Sequence, residues 1–256
     1  DQAIRDGYYS TGRPLVTFAG ILQHDAFPLA ETVNRLLRIG KAEMGRPVEI
    51  EFAMDINNHH ANFYLLQIRP IVDSKASVTL DLTAINPADA LITTPHALGN
   101  GIISDVSDII YVKTTDYNPA NNPIIAREVE KLNKKMLETE SGYLLIGPGR
   151  WGSSDPWLGI PVKWPHISAA RLIVESGLSH YRVDPSQGTH FFQNLTSFGV
   201  GYFTINPYIN DGTLDEAWLD DLPAVYETEY LRHVRTPHPL NIQMDGRHSM
   251  GVVLKR

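Results

Sequence analysis

Apolar and polar positions alternate in two neighbouring stretches near the start of the chain. Val48, Ile50 and Phe52 interleave with Glu49, Glu51 and Ala53, and Phe63, Leu65 and Gln67 interleave with Tyr64, Leu66 and Ile68. A period of two marks strands. The intervening Asn57-Asn58-His59-His60 is turn-forming, so the pattern predicts an antiparallel pair joined by a hairpin-like loop. Just upstream, Leu29, Val33, Leu36, Leu37 and Met44 recur at helical spacing, which predicts a helix over 28–44. Pro28 suits its first turn and Gly45 its end. Leu15 to Ala19 reads as a short strand.

From Asp73 to Pro95 the periodicity fades. Ser74-Lys75-Ala76-Ser77, Asn86-Pro87 and Thr93-Thr94-Pro95 read as connecting segments. The predicted organisation is a first domain over 1–73, a linker over 74–95 and a second domain over 96–256. In the second domain strands and helices alternate after Gly99-Asn100-Gly101. Strands are predicted at Asp108–Lys113, Tyr143–Ile146, Tyr181–Val183 and Val200–Ile205. Helices are predicted at Asn122–Glu138, Ser168–Ser176, Thr189–Phe198 and Leu214–Leu222. The clearest helix carries Ile125, Val129, Leu132 and Met136 as one apolar stripe. Asp245-Gly246 between two apolar runs signals a final hairpin. The expected fold class is α/β, a mixed α+β chain of layered strands and helices.

Composition narrows the chemistry. The chain has 256 residues, 43% hydrophobic and 20% charged, an ordinary globular balance that excludes a disordered or collagen-like chain. A net charge of -7 argues against nucleic acid as a partner. No apolar run approaches the roughly 20 residues of a membrane span. With no cysteine, disulfides, thiolate metal sites and a cysteine nucleophile are excluded, and a cytoplasmic location is expected. The start Asp-Gln-Ala-Ile, with neither Met nor a signal peptide, reads as internal to a longer protein.

Glu49-Ile50-Glu51-Phe52-Ala53, followed by Phe63-Tyr64-Leu65-Leu66-Gln67-Ile68-Arg69-Pro70, resembles the end of the ATP-grasp nucleotide-binding domain of the phosphoenolpyruvate synthase and pyruvate phosphate dikinase family. That family carries an Ile-Glu-Trp strand, a loop and a Leu-x-x-Leu-Gln-x-Arg-Pro-like strand. Phe52 stands in the place of the tryptophan, and the resemblance covers only about the first 70 residues. It implies ATP-dependent phosphoryl transfer with magnesium. Glu51 and Gln67 would lie at the metal and the nucleotide phosphates, and Arg69 would touch the transferred phosphoryl group. The residue types suit this work. Carboxylate and amide oxygens are hard donors for Mg²⁺, and arginine offers a planar fork to phosphate. The alternative is a surface hairpin whose Glu and Arg form a solvated ion pair. Glu49 falls on the face of Glu51 as an edge charge. His59 and His60 at the loop tip point to opposite faces and are not expected to bind metal.

Downstream, Gln187-Gly188-Thr189-His190-Phe191-Phe192 and Gly199-Val200-Gly201-Tyr202-Phe203 resemble the phosphohistidine turn and following strand of the swivelling domain in the same family. The family's Thr-Ser-His is shortened here, and its two alanines become phenylalanines. The resemblance implies that His190 carries a phosphoryl group. A helix start beside Thr189 would favour this through free amides and the helix dipole. Packing at a helix start is the alternative role. One further loop follows a buried-type strand: Gly147-Pro148-Gly149-Arg150-Trp151-Gly152-Ser153-Ser154. Gly147, Gly149, Arg150, Ser153 and Ser154 form either a phosphate-binding loop or a rigid Gly/Pro/Trp turn. It lacks the Gly-Lys-Ser/Thr of a P-loop. His166 and His180 are read as structural. The expected partners are an unidentified small-molecule phosphoryl acceptor and the remaining N-terminal part of the parent chain. A non-catalytic regulatory or assembly module is the rival function.

Overall fold

A computed structural model describes residues 18–23, 27–45, 47–56, 61–70, 79–179, 182–184, 195 and 198–255. Two compact units divide the chain, Asp1–Ile71 and Val72–Arg256. The architecture is a mixed α/β fold. Among the described residues no helix is long and apolar enough to cross a membrane.

In the first unit α1 (Ala19–Leu22) and α2 (Leu29–Met44) precede β1 (Val48–Ile56) and β2 (Ala61–Pro70). Ala19 therefore opens a helix rather than closing a strand, and Leu15 to Thr17 lie outside the described residues. α2 ends at Gly45 in the left-handed conformation, φ 68°. Its one buried residue is Gly40, whose missing side chain lets Val48 and Ile68 of the strands close in. β1 and β2 pair antiparallel, Val48 opposite Pro70 and Ile56 opposite Ala61. The tip between them, with His59 and His60, lies outside the described residues.

The second unit is built on one ten-stranded mixed sheet. Its strands are β3 (Ala90–Thr94), β4 (Ala97–Leu98), β5 (Gly101–Val112), β6 (Tyr143–Pro148), β9 (Ala170–Ser176), β10 (Gly201–Ile205), β11 (Thr213–Leu214), β12 (Ala224–Glu227), β13 (Leu231–Asp245) and β14 (Met250–Leu254). A separate small pair is β7 (Arg150–Trp151) with β8 (Gly159–Ile160). The order in the large sheet is β11-β3-β14-β13-β5-β6-β9-β10-β4, with β12 beside β13. β5, β6, β9 and β10 run parallel, and the flanking strands pair antiparallel. Only Pro95 and His96 separate β3 from β4, although the two stand towards opposite ends of this order. Thr94 Oγ1 donates to Thr204 O at 2.5 Å, and Thr204 N donates to His96 O at 3.0 Å. The sheet thus curls until its two ends meet.

Successive side chains of a strand leave on opposite faces, and here each face has its own core. Ile109, Leu144, Val174 and Phe203 join one apolar cluster with Leu91 and Ile242. Ile110, Leu145, Ile173 and Tyr202 join the other. α3 (Asn122–Glu138) covers that second face with Ile125, Val129, Leu132 and Met136, the stripe expected from the sequence. The helix is also fixed by a polar node. Asn133, fully buried, accepts from the Tyr143 hydroxyl at 3.0 Å and the Ala169 amide at 2.9 Å, and it donates to Pro165 O at 3.1 Å.

Three expectations need correction. Ser168–Ser176 is not a helix, since Ala170–Ser176 is the strand β9 between β6 and β10. Leu172, Ile173 and Val174 are all buried, because both faces of this strand are covered, and such a run loses its alternation. The expected linker over 74–95 contains β3, which pairs with β14 and β11. Arg182–Asp184 do not form a strand. Val183 is tied to the side chain of Asn206 instead, through its amide at 2.8 Å and its carbonyl at 3.0 Å. Tyr181 and most of Thr189–Phe198 lie outside the described residues. The expected acidic helix is α4 (Glu216–Asp221), capped by Asp215, which accepts from Trp218 N. β13 and β14 form the final hairpin around Asp245-Gly246.

Candidate functional site

In the first unit the ladder sets Glu51 opposite Gln67 and Glu49 opposite Arg69. Opposed residues share a face, as do residues two apart. Glu49, Glu51, Gln67 and Arg69 therefore stand on one face of the pair. Directly after Glu51 the register shifts, so Phe52 faces Leu65. Phe52 stacks on Phe63 with ring centroids 4.8 Å apart. Arg69 Nε lies 3.0 Å from Glu49 Oε1, with both side chains partly exposed. Glu51 and Gln67 are exposed. Among the described residues no group of three or more acidic or histidine side chains could hold a metal ion. A carboxylate and an amide oxygen on opposed residues fit magnesium, which keeps several waters and takes only one or two protein carboxylates beside phosphate oxygens.

The loop after β6 is bound up in its own backbone. Gly149 N donates to Ser176 O at 3.1 Å, Arg150 N to Leu158 O at 3.0 Å, and Gly152 N to Ile160 O at 2.9 Å. Trp151 N donates to the buried Glu175 carboxylate at 2.9 Å, and its indole donates to Val174 O at 3.0 Å. Ser153 Oγ donates to Asp155 O at 2.9 Å. The amides from Gly149 to Gly152 are thus spent on protein acceptors. This corrects one of the two expectations for Gly147, Gly149, Arg150, Ser153 and Ser154: the backbone forms a rigid turn anchored by Trp151, not an amide cradle for phosphate. Glu175 also accepts from the Tyr202 hydroxyl at 2.6 Å.

A cavity of about 210 Å³ lies at the carboxyl ends of β5, β6 and β9. In α/β sheets loops and strand ends on this side build ligand sites. Val112, Ile146, Leu214 and Leu219 supply apolar wall. Tyr111, Lys113, Glu216, Asp220, Glu227 and Arg232 supply the polar part. Lys113 Nζ lies 2.5 Å from Glu227 Oε1 and donates to Thr228 O at 2.7 Å. Arg232 donates to Asp220 O at 2.8 Å, Leu222 O at 2.9 Å and the Tyr111 hydroxyl at 3.2 Å. Tyr111 in turn donates to Asp220 Oδ1 at 2.8 Å. Burial, aided by the Asp220 carboxylate, pushes the Tyr111 phenol up to about 12. Burial and the nearby Asp220 charge also hold the Glu216 carboxyl above the usual range, against a hydrogen bond from Thr114. The Lys113 ammonium holds the Glu227 carboxyl below it.

No family model, curated protein or solved structure significantly matches the chain. Its site residues are therefore judged by their own geometry. The structure aligns Glu51, Gln67 and Arg69, while Thr189 and His190 lie outside the described residues. Sequence reasoning missed the cavity, whose polar residues come from four separated segments with no local motif. It also missed a buried ionic cluster. Asp108, only 4% exposed, accepts from His233 Nε2 at 2.7 Å and from Arg235 Nε and Nη2 at 2.9 and 3.1 Å. Burial alone would push the Asp108 carboxyl up, but these partners outweigh it and hold the group below its ordinary value. The strand parity of β13 was the available signal: His233 and Arg235 are two apart and so share a face.

Proposed function

We propose that the chain is part of an ATP-dependent phosphotransferase of the phosphoenolpyruvate synthase and pyruvate phosphate dikinase kind, working in the cytoplasm. The observation that carries this reading is the register of the first ladder, which lines up Glu51, Gln67 and Arg69 on one face. On this reading Glu51 and Gln67 hold magnesium beside the nucleotide phosphates, and the metal spreads the charge of the transferring group. Arg69 orients that group, with Glu49 setting the tilt of its guanidinium from 3.0 Å away. The reaction breaks a P–O bond of ATP and forms a P–N bond on the imidazole of His190, releasing the shortened nucleotide and the ring's proton, and the histidine then passes the phosphoryl group to a small-molecule acceptor.

The Glu49–Arg69 ion pair is also what favours the rival reading, a non-catalytic regulatory or assembly module. In that case the pair is a solvated surface contact worth about 0–1 kcal/mol. The two readings part in one experiment. Full-length protein is incubated with magnesium and ATP labelled at the β or γ phosphorus, and acid-labile, base-stable label is counted. The phosphotransferase reading expects label in the wild type, none in His190→Ala, and labelling slowed roughly 10²–10³-fold in Glu51→Gln and Arg69→Gln. Unlabelled wild type, or equal labelling of all four proteins, leaves the module.

A further inference from the structure

We propose that the cavity at the carboxyl ends of β5, β6 and β9 binds a small organic carboxylate, and that Lys113 and Arg232 receive it in the seat now held by the Glu227 side chain. This site belongs to the second unit and is independent of the phosphotransferase reading. Arg232 lines the cavity with a side chain only 17% exposed. Its two outer nitrogens are spent on the protein. Nη1 donates to Asp220 O and the Tyr111 hydroxyl, and Nη2 donates to Leu222 O. These three contacts fix the plane of the guanidinium. Its Nε is enclosed and has no hydrogen-bond acceptor among the described residues. A buried donor left without an acceptor is costly, and the strongest acceptor for a guanidinium is an anion.

The Glu227 carboxylate faces this Nε without closing the contact. Glu227 stands opposite Arg232 in the β12–β13 ladder. From that anchor Oε1 reaches Lys113 Nζ at 2.5 Å, while Oε2 stops 3.6 Å from Nε, beyond hydrogen-bond distance. One tethered carboxylate thus stands between two cations and satisfies one of them. A free carboxylate has no tether and can set one oxygen on each. Glu227 is also free to leave, because its side chain is 45% exposed and an ion pair so open to water is weak. Glu216 and Asp220 are exposed as well, and solvent screens their charge from an entering anion. Val112, Ile146, Leu214 and Leu219 give the ligand's body an apolar wall. The volume of about 210 Å³ is below the roughly 300–1,000 Å³ of drug-sized pockets, which sets the ligand at the size of a short-chain acid.

The test uses the full chain with labelled Ile and Leu methyl groups, titrated by NMR with sodium butyrate. 1-Butanol and n-butylammonium chloride at matched ionic strength are the controls. The expected result is a saturable shift of the Ile146, Leu214 and Leu219 methyls with butyrate. Both controls should bind at least about tenfold more weakly, a difference of about 1.4 kcal/mol. Glu227→Ala vacates the seat and should tighten butyrate about threefold or more. Glu229→Ala removes an equal charge two residues away and should leave the affinity within about twofold. Lys113→Met should lose at least about tenfold. Either control binding as tightly as butyrate, no tightening in Glu227→Ala, equal tightening in Glu229→Ala, or an unchanged affinity in Lys113→Met would overturn the proposal. So would the lack of any saturable shift, which would leave water as the partner of Nε. If Lys113→Met does not fold, the two glutamate variants and the three probes decide.

Discussion

Replacing Asp108 by asparagine removes one negative charge from the second unit's most enclosed ionic cluster and changes little else in size. The consequence can be worked out contact by contact. The two hydrogen bonds from Arg235 count for little, because that side chain is 55% exposed and its fork can turn to water. The bond from His233 counts for more, since both side chains are under a tenth exposed and sit 2.7 Å apart. A hydrogen bond to a charged group is worth about 1.5–3 kcal/mol, and a buried partner left behind adds its own desolvation. The total expected loss is about 2–4 kcal/mol, or a fall in Tm of roughly 5–15 °C. Acid provides a second axis. The carboxyl of Asp108 is depressed in the folded protein. It therefore contributes stability that is complete above the unfolded value near 3.9 and is lost as pH falls through the folded one. Asparagine does not titrate. Thermal unfolding followed by circular dichroism should show the full gap between wild type and Asp108→Asn at pH 6–7, and a narrower gap at pH 3. A Tm change under about 2 °C at neutral pH, or a gap that does not narrow in acid, would refute the reasoning.

Asn133→Leu should cost more than its size suggests. It strands the Tyr143 hydroxyl, the Ala169 amide and the Pro165 carbonyl inside α3's interface. At about 1–3 kcal/mol for each unsatisfied group, partly offset by the added apolar volume, urea unfolding should register a loss of about 2–5 kcal/mol. Gly251→Ala tests the closure of the sheet, because a methyl there would come 2.4 Å from the Phe203 ring and 2.8 Å from Ala97. Overpacking of that kind costs about 1–3 kcal/mol. Phe203→Leu in the same chain should recover part of it, and a double variant no more stable than Gly251→Ala would sink the explanation.

Much of the fold was written locally. α3 could be read nearly to its ends, because a helix covered on one side keeps its apolar stripe at Ile125, Val129, Leu132 and Met136. β1 and β2 were equally plain, because one of their faces is polar. The final hairpin followed from Asp245-Gly246, whose carboxylate accepts from the Arg247 and His248 amides. What failed was whatever depends on partners distant in the chain. Leu172-Ile173-Val174 is buried on both faces, so nothing in its pattern distinguishes a strand from a short helix. β3 ends in Thr93-Thr94, and with Pro95 after it the sequence looks like a connection until β14 arrives from the far end of the unit. The ladder residues Glu51, Gln67 and Arg69 were legible because two strands adjacent in sequence carry them. The cavity was not, because Lys113 follows β5 while Glu216, Glu227 and Arg232 come from α4, β12 and β13, far along the chain, and they meet only through the pairing of β13 with β5.

The strand order ties the earliest described strand of the larger unit to the latest one. β3 needs β14 beside it, with Gly251 opposite Thr94 and Val253 opposite Ile92. A ribosome makes these strands in the reverse of the convenient order: β3 emerges first and its neighbour last. Throughout synthesis of the intervening sheet, β3 carries backbone donors and acceptors with no strand on that side. A nascent chain in this condition offers an open edge to any other strand it meets. Pairing so remote in sequence is also slow to form. A message cut short before Met250 would therefore cost the product more than the five residues of β14. It would yield a chain whose sheet has no means of closing and a standing tendency to associate.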